Sequence, residues 1–527
     1  GYASGALRFD LELAPGSAEE VYLAIPFGSV QADDSVIRLI QGVSGPEQFR
    51  KAVRSWESKL GAVEILLPPA AHSVAHTFKT AAAHILINRD GPALHPGPRR
   101  YSRSWIRDGA IMGAALLRVS CAEAIRDFIR WYSTFQDEDG NIPDCADWEG
   151  TEWLPEFDAY GQFIYAVMEY YRFTGDKVFL EEMRPTVVKT LTFMENLRSR
   201  RLTPEYQTPE KRACYGLLPE SMSHEGYMAH PVHAYWDDFW AIRGLRDAAL
   251  MAEILGDHAE AMRLTAVQDS FSENVRASLA ATIARHGIDF VPGSVEFGDF
   301  DPTATAIAIA LLDQLHLLPE TEICNTFNKY LAGFRERARG TIEWNNYSAY
   351  EIRIIGALVR LGRRREALEL TKFMLADRRI PLWNQWPEIT WRDPLGPSFI
   401  GDLPHAWISG EYILSICGMF AYEREADKSL VIAAGIAEEW LADGFAVGVE
   451  NLPTYYGKIS YSLRLEAADM LRLSLQGGLA VPPGGIVVKP PLPRPIQQVE
   501  INGKALSEFT TDSFTCSECP AEAVVRF

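Results

Sequence analysis

From about residue 76 to residue 422, apolar positions recur three and four residues apart, as in Ile242-x-x-Leu245-x-x-x-Ala249-Leu250. That spacing puts the apolar side chains on one face of a helix. It predicts twelve helices, at roughly 76–89, 106–118, 121–135, 157–174, 177–199, 233–255, 257–283, 302–315, 319–337, 346–361, 363–377 and 404–421. Short turns such as Thr174-Gly175-Asp176, Leu255-Gly256-Asp257 and Leu361-Gly362 alternate with longer connections rich in Trp, Asp, Glu and Pro. The long ones cover about 136–156, 200–232, 284–301, 338–345 and 378–403. Twelve helices joined in this rhythm read as six hairpins closed into an (α/α)6 barrel with its long loops at one end. An open helical solenoid would string the same loops along a line.

The pattern is different at both ends. Leu7-Arg8-Phe9-Asp10-Leu11-Glu12-Leu13 alternates apolar with polar, and a second strand-like run covers Val21 to Phe27. Residues 1–75 therefore read as a β-rich segment and a linker with one helix at about 45–75, and 76–425 as the helical barrel. Strand alternation returns in 426–527, as in Lys458-Ile459-Ser460-Tyr461-Ser462-Leu463-Arg464-Leu465, with Gly and Pro clusters between runs. A small β-sandwich that braces the barrel is expected there. The fold class is thus mainly α, flanked by β elements.

Bulk properties narrow the function. The chain has 527 residues and 47% hydrophobic content, too long for one ordinary core. A net charge of −19 argues against nucleic acid and anionic membranes as partners, because phosphate binding needs clustered Lys and Arg. Cys121, Cys145, Cys214, Cys324, Cys417, Cys516 and Cys519 are odd in number and scattered, which indicates no disulfide framework. Cys516-Ser-Glu-Cys519 has no second pair, so no zinc site is expected. Neither a metal nor a cofactor is called for. No apolar run is long enough for a membrane span, and no signal peptide is visible in the chain, which opens at Gly1 within a strand-like region. A cytoplasmic location is favoured over export; oligomeric state is left open.

Acid-plus-aromatic segments recur in the long loops. Gln385-Trp386-Pro387-Glu388-Ile389-Thr390-Trp391 sets a carboxylate between Trp386 and Trp391. Rings stack on the apolar faces of sugars, while a carboxylate moves protons or activates water. Trp105, Arg107 and Asp108 stand together at a helix start, where Asp108 either caps the helix or clamps sugar hydroxyls. Asp144 and Trp148 are candidate subsite walls, followed by Glu156 and Asp158. The long loop from Tyr215 carries Glu220, His224 and Glu225 and runs into Trp236. A Glu buried against aromatics can act as a general acid, and Glu225 and Glu220 are both candidates. Glu343 beside Trp344 is a reserve for either carboxylate role. One acid from the Glu225 loop and one from the Glu388 loop supply what glycosidic cleavage requires.

Trp105-x-Arg107-Asp108-Gly109-Ala110 resembles the W-x-R-D-x-A segment of glucoamylase-type glycoside hydrolases. Asp158-Ala159-Tyr160-Gly161-Gln162 resembles their D-x-Y-G-[EQ] segment, and Pro387-Glu388 with Pro404-His405-Ala406-Trp407 is similar to their C-terminal acid and the helix start beyond it. The resemblance covers about 76–422, in order. It implies an inverting, exo-acting hydrolase of the six-hairpin superfamily working on an oligosaccharide or polysaccharide, with an α-glucoside-like substrate. Glu388 would be the base, and Arg107 and Asp108 would hold the terminal sugar. Where that family has W-E-E, this chain has Leu218-Pro219-Glu220 and His224-Glu225-Gly226, and spacing to the next helix favours Glu225 as the acid. The alternatives are a glycoside phosphorylase on the same barrel, which would need an anion site where Glu388 stands, and a non-catalytic glycan-binding protein.

Overall fold

The computed structural model describes residues 6–23, 38, 42–396 and 398–527. It forms two units, residues 1–59 and 60–527. In the first unit the described residues include a helix, α1 (Gly45–Leu60), with Glu47 in its first turn and Lys59 in its last. Both charges complement the helix dipole. The strand expected over Leu7–Leu13 is absent: these residues are exposed and form no strand. Alternation supplies an apolar face, but a strand also needs a second strand to take up its backbone N–H and C=O groups. Of the run from Val21 to Phe27, Val21–Leu23 form no strand and the rest lies outside the described residues.

The second unit contains the twelve helices that the periodicity predicts. They are α2 (His72–Ile87), α3 (Ile106–Arg118), α4 (Ala122–Ser133), α5 (Ala159–Thr174), α6 (Lys177–Ser199), α7 (Tyr235–Ile254), α8 (His258–His286), α9 (Pro302–Ala310), α10 (Glu320–Arg339), α11 (Arg353–Arg360), α12 (Arg364–Ala376) and α13 (Ala406–Phe420). α3 packs on α5, α5 on α7, α7 on α9, α9 on α11, α11 on α13, and α13 returns to α3. The other six each pack on one or two members of that set. Burial follows the same division. Every residue from Ile106 to Leu117 of α3 is buried, whereas α4 buries only one stripe, as an outer amphipathic helix does. Close crossing is secured at Gly161 of α5, where a Cβ would meet the Trp240 carbonyl oxygen at 2.0 Å.

One predicted helix is shorter than its apolar pattern. Residues 346–361 divide into a strand Asn346–Ser348, a 3-10 turn Ala349–Ile352 and α11. The strand pairs with Ile389–Trp391, and the Ser348 hydroxyl caps the turn by accepting from the Tyr350 N–H. This places Tyr350 and Arg353 beside the Glu388 loop.

A strand, Ala421–Arg424, follows α13 directly. The β region has a seven-stranded sheet, in the order Glu64–Leu66, Val447–Thr454, Gly457–Ala467, Met470–Leu475, Ala521–Arg526, Gln498–Ile501 and Lys504–Ala505. A four-stranded sheet runs Phe514–Cys516, Ile486–Val488, Ser429–Ile432 and Ala421–Arg424. Glu64–Leu66 precedes the helices in sequence yet pairs with Glu450 to Gly448, so chain from both sides of the helical region builds one sheet. Beneath the helices a buried ion network ties the two parts together. Arg118 pairs with Glu169 (3.0 Å), Arg172 with Asp247 (2.5 Å) and Arg243 with both Asp247 (2.9 Å) and Glu425 (2.8 Å). Tyr455 donates to Glu169 at 2.6 Å. Burial opposes the charge on Glu425, but three guanidiniums hold its carboxyl well below the usual range.

Candidate functional site

The N-terminal ends of α3, α9, α11 and α13 surround an open cleft of about 980 Å³. Its walls carry Trp105, Arg107, Asp108, His224, Glu225 and Glu388, all singled out from the sequence. Tyr101, Tyr350, Arg353, His405 and Trp407 also line it. Positive helix ends facing a cluster of carboxylates favour negative charge there.

Glu388 is held from two sides. The Tyr101 hydroxyl donates to its Oε2 at 2.5 Å and the Tyr350 hydroxyl to its Oε1 at 3.3 Å. Burial pushes the Glu388 carboxyl above its ordinary pKa, while the two phenolic donors work in the other direction. Tyr350 also meets Nε2 of His405 at 3.2 Å, and burial pushes that imidazole down to about 3, so it is neutral. Gly401 has a positive φ of 72°, and a Cβ there would come within 2.8 Å of Glu388 Oε2. The loop backbone can pass this close to the acid only as glycine.

Glu225 stands on the loop between α6 and α7, with Oε1 at 3.6 Å from Nη2 of Arg107. Its φ of 63° and the 51° of Ser223 are left-handed, costly for residues with a Cβ. The turn is held by Asp237, which accepts from the Ser221 hydroxyl at 2.5 Å and the Ser223 hydroxyl at 2.7 Å. His224 lies on the Trp236 ring, centroids 4.9 Å apart. Arg107 is buried against Glu156 (2.6 Å), Asp158 (3.7 Å) and Asp108 (3.9 Å). Burial opposes its charge, but these carboxylates keep the guanidinium well above its ordinary range. Asp108 does not cap α3; it is buried in the first turn, and burial pushes its carboxyl up to about 8.

Other residues expected at the site lie elsewhere. Trp386 is buried in the core, its indole N–H donating to the Met374 carbonyl at 2.7 Å. Trp236 lies beneath the cleft and donates to Asp158 at 2.7 Å, supporting the wall from behind. Asp144 is buried and accepts from the Leu154 N–H at 2.7 Å, which makes it a loop anchor. Trp148 packs on Trp131 (5.5 Å) and donates to Asp90 at 3.0 Å, away from the cleft. Glu220 turns outward to Arg201 and stands 3.8 Å from His233. Glu343 is exposed, and Trp344 packs on Tyr347 at 5.8 Å. Trp391 is half-buried and donates to the Phe399 carbonyl at 2.5 Å, close behind the Glu388 loop. Tyr350 and Arg353 escaped sequence reading because they sit inside an apolar run that looks like plain helix. The signal available was their spacing of three, which puts ring and guanidinium on one face.

One cluster has metal-ligand chemistry. Donor atoms of Cys214, His233 and Glu296 lie within 4.8 Å of one another. Both ring nitrogens of His233 are already engaged, Nδ1 with Glu296 at 2.6 Å and Nε2 with the Nε of Arg201 at 3.0 Å. The cluster reads as a closed polar network that anchors the base of the Glu225 loop.

No family model matches this chain, and no curated protein does. Solved structures do resemble it. An α-L-rhamnosidase from Dictyoglumus thermophilum superposes with a TM-score of 0.59 at 11% identity, over 88% of this chain and 50% of its own. A GH78 family rhamnosidase from Bacillus sp. GL1 gives 0.57 at 15% identity, over 81% and 42%. The Streptomyces avermitilis α-L-rhamnosidase, solved with L-rhamnose, gives 0.54 at 14% identity, over 88% and 42%. The chain spans half or less of the length of these three structures. At such identities the likeness is one of fold.

Proposed function

We propose that this chain is an inverting, exo-acting glycoside hydrolase on an (α/α)6 toroid. The order of helix packing, which returns from α13 to α3, supports the toroid. The observation that carries the activity is that Glu225 and Glu388, more than 160 positions apart in sequence, face one cleft lined by Trp105, Trp407, Tyr101 and Tyr350. In this reading the terminal sugar stacks on the indoles and binds its hydroxyls to Arg107 and Asp108. Glu388 takes a proton from water as the water oxygen bonds to the anomeric carbon. Glu225 gives its proton to the leaving oxygen as the glycosidic bond breaks. Inversion needs room for that water, so the two carboxyls should stand roughly 6.5–9.5 Å apart.

A second assignment of the acid is favoured by one observation. The Asp108 carboxyl is buried and raised to about 8, so it keeps its proton at neutral pH, whereas the Glu225 side chain is exposed. Leaving groups separate the two. If Glu225 is the acid, Glu225→Gln loses natural-type substrates but retains dinitrophenyl glycosides, which need no protonation.

An α-glucoside is the first substrate to test and an α-L-rhamnoside the second, the latter because of the rhamnosidases just described. A panel of nitrophenyl glycosides differing in sugar and anomer identifies the accepted one. NMR of the first product should then show the anomer opposite to the substrate. Retention overturns the mechanism, and no turnover across the panel overturns the function.

A further inference from the structure

A second open groove of about 950 Å³ includes Gly401 in its lining, and Gly401 packs on Glu388 and Tyr101 of the cleft. Arg99, Arg100, Ser398 and Phe399 also line the groove. Its chemistry runs against that of the molecule, whose net charge is −19. Arg100 is exposed, and among the described residues no carboxylate pairs with it. Its guanidinium lies 5.9 Å from the exposed ring of Phe399, which in turn meets Tyr101 at 6.4 Å. Arg99 is 71% exposed and stands 3.6 Å from Asp402 Oδ1. The other Asp402 oxygen already accepts the backbone N–H groups of Arg99 (2.8 Å) and Tyr101 (2.9 Å). Asp402 is therefore the brace that presents both arginines, and much of their donor capacity is left facing solvent. By contrast Arg103, four residues beyond Arg99, is tied to Asp147 and Glu152.

An exo-acting site buries one terminal sugar and leaves the rest of the substrate projecting past the rim. Two solvent-facing guanidiniums beside an exposed ring make charge-assisted bonds to an anion and stack on the plane that carries it. We infer that the portion of the substrate outside the cleft is anionic, bearing a carboxylate, sulfate or phosphate that Arg99 and Arg100 hold over Phe399. This rests on the reading of the cleft as a glycosidic site.

The test compares 4-carboxyphenyl glycosides with their neutral 4-carbamoylphenyl counterparts, in the sugar that the panel identifies. The wild-type chain should favour the anionic member in kcat/KM, and the Arg99→Ala, Arg100→Ala double variant should lower that preference about tenfold. Arg100→Lys, which keeps the charge, should restore part of it in an Arg99 background, and Arg100→Glu should reverse it. An unchanged anionic-to-neutral ratio in the double variant overturns the inference. The same ratio is read in Kd by calorimetry on Glu388→Gln, which binds without turnover. If the whole panel resists hydrolysis the function above fails, while the Kd ratio, read with the α-glucoside pair, still judges the groove. A further arm adds inorganic phosphate. Cleavage that depends on it assigns the arginines to a phosphate co-substrate and overturns the inference.

Discussion

The two ends of the inner helices use the same residue types to opposite effect. At the C-terminal ends, beneath the cleft, Arg118, Arg172, Arg243, Arg246 and Arg360 meet Glu169, Asp247, Asp313, Glu423 and Glu425, five cations against five anions. At the N-terminal ends, among the described residues, Arg107 and Arg353 meet Asp108, Glu156, Asp158, Glu225 and Glu411, and Glu388 is held by tyrosine hydroxyls rather than by a cation. The lower set is closed over by β structure and its charges cancel. The upper set is open and carries more carboxylates than guanidiniums can neutralise, so some must bind protons or await a polar ligand. Perturbed carboxyls gathered in a cleft mark function, whereas matched buried pairs mark architecture.

The sharpest way to break this contrast is Glu388→Gln. Its kcat/KM should fall by roughly a thousandfold, within the range of general-base catalysis, with the thermal midpoint unchanged. A variant that unfolds instead would place Glu388 with the architectural set. The mirror experiment is Arg243→Met, which takes from buried Asp247 one of its two guanidinium partners and from Glu425 its nearest one. Unfolding in urea should show a loss of about 3–5 kcal/mol, while kcat/KM of the folded fraction stays the same. A lost kcat/KM would mean that the lower network also acts on the cleft.

Proton linkage sharpens the comparison further. Asp108 titrates near 8 in the fold and near 4 when unfolded, so between those values the folded chain holds the extra proton. Stability therefore falls as pH rises through that window, and activity should decline as pH passes about 8. Asp108→Asn should narrow the difference in unfolding free energy between pH 5 and pH 8; an undiminished difference would clear Asp108 of the effect. The smallest change expected is from Tyr101→Phe. It removes the 2.5 Å donor that stabilises the Glu388 carboxylate, so the acid limb of the pH–rate profile should move to higher pH, with a loss of about tenfold or less. A limb that does not move would make the bond incidental.

Much of this was legible along the chain. The helical period announced all twelve helices, because an amphipathic repeat survives whatever the helix packs against. The segments Trp105–Asp108 and Glu388, picked out as rings beside acids in long loops, both line the cleft. Other assignments failed for physical reasons. Trp236 and Trp386 look like stacking rings, but each indole N–H finds a partner in the interior and the ring follows it inward. Glu220 and Glu225 are five positions apart in one loop and cannot be told apart by composition. The left-handed turn at Ser223 and Glu225 points one to Arg107, while Arg201 draws the other away. Leu7–Leu13 has the alternation of a strand without, among the described residues, a strand beside it.

What the chain dictates by itself is local: which stretches coil, where they stop, and which loops carry rings and acids. Periodicity and turn chemistry act over a few residues, so no distant partner is needed to read them. Which carboxylate faces the cleft, which arginine is neutralised and which is left to solvent were settled only when helices far apart in sequence closed against one another. Those outcomes depend on burial and on the nearest opposite charge, and both are properties of the packed molecule.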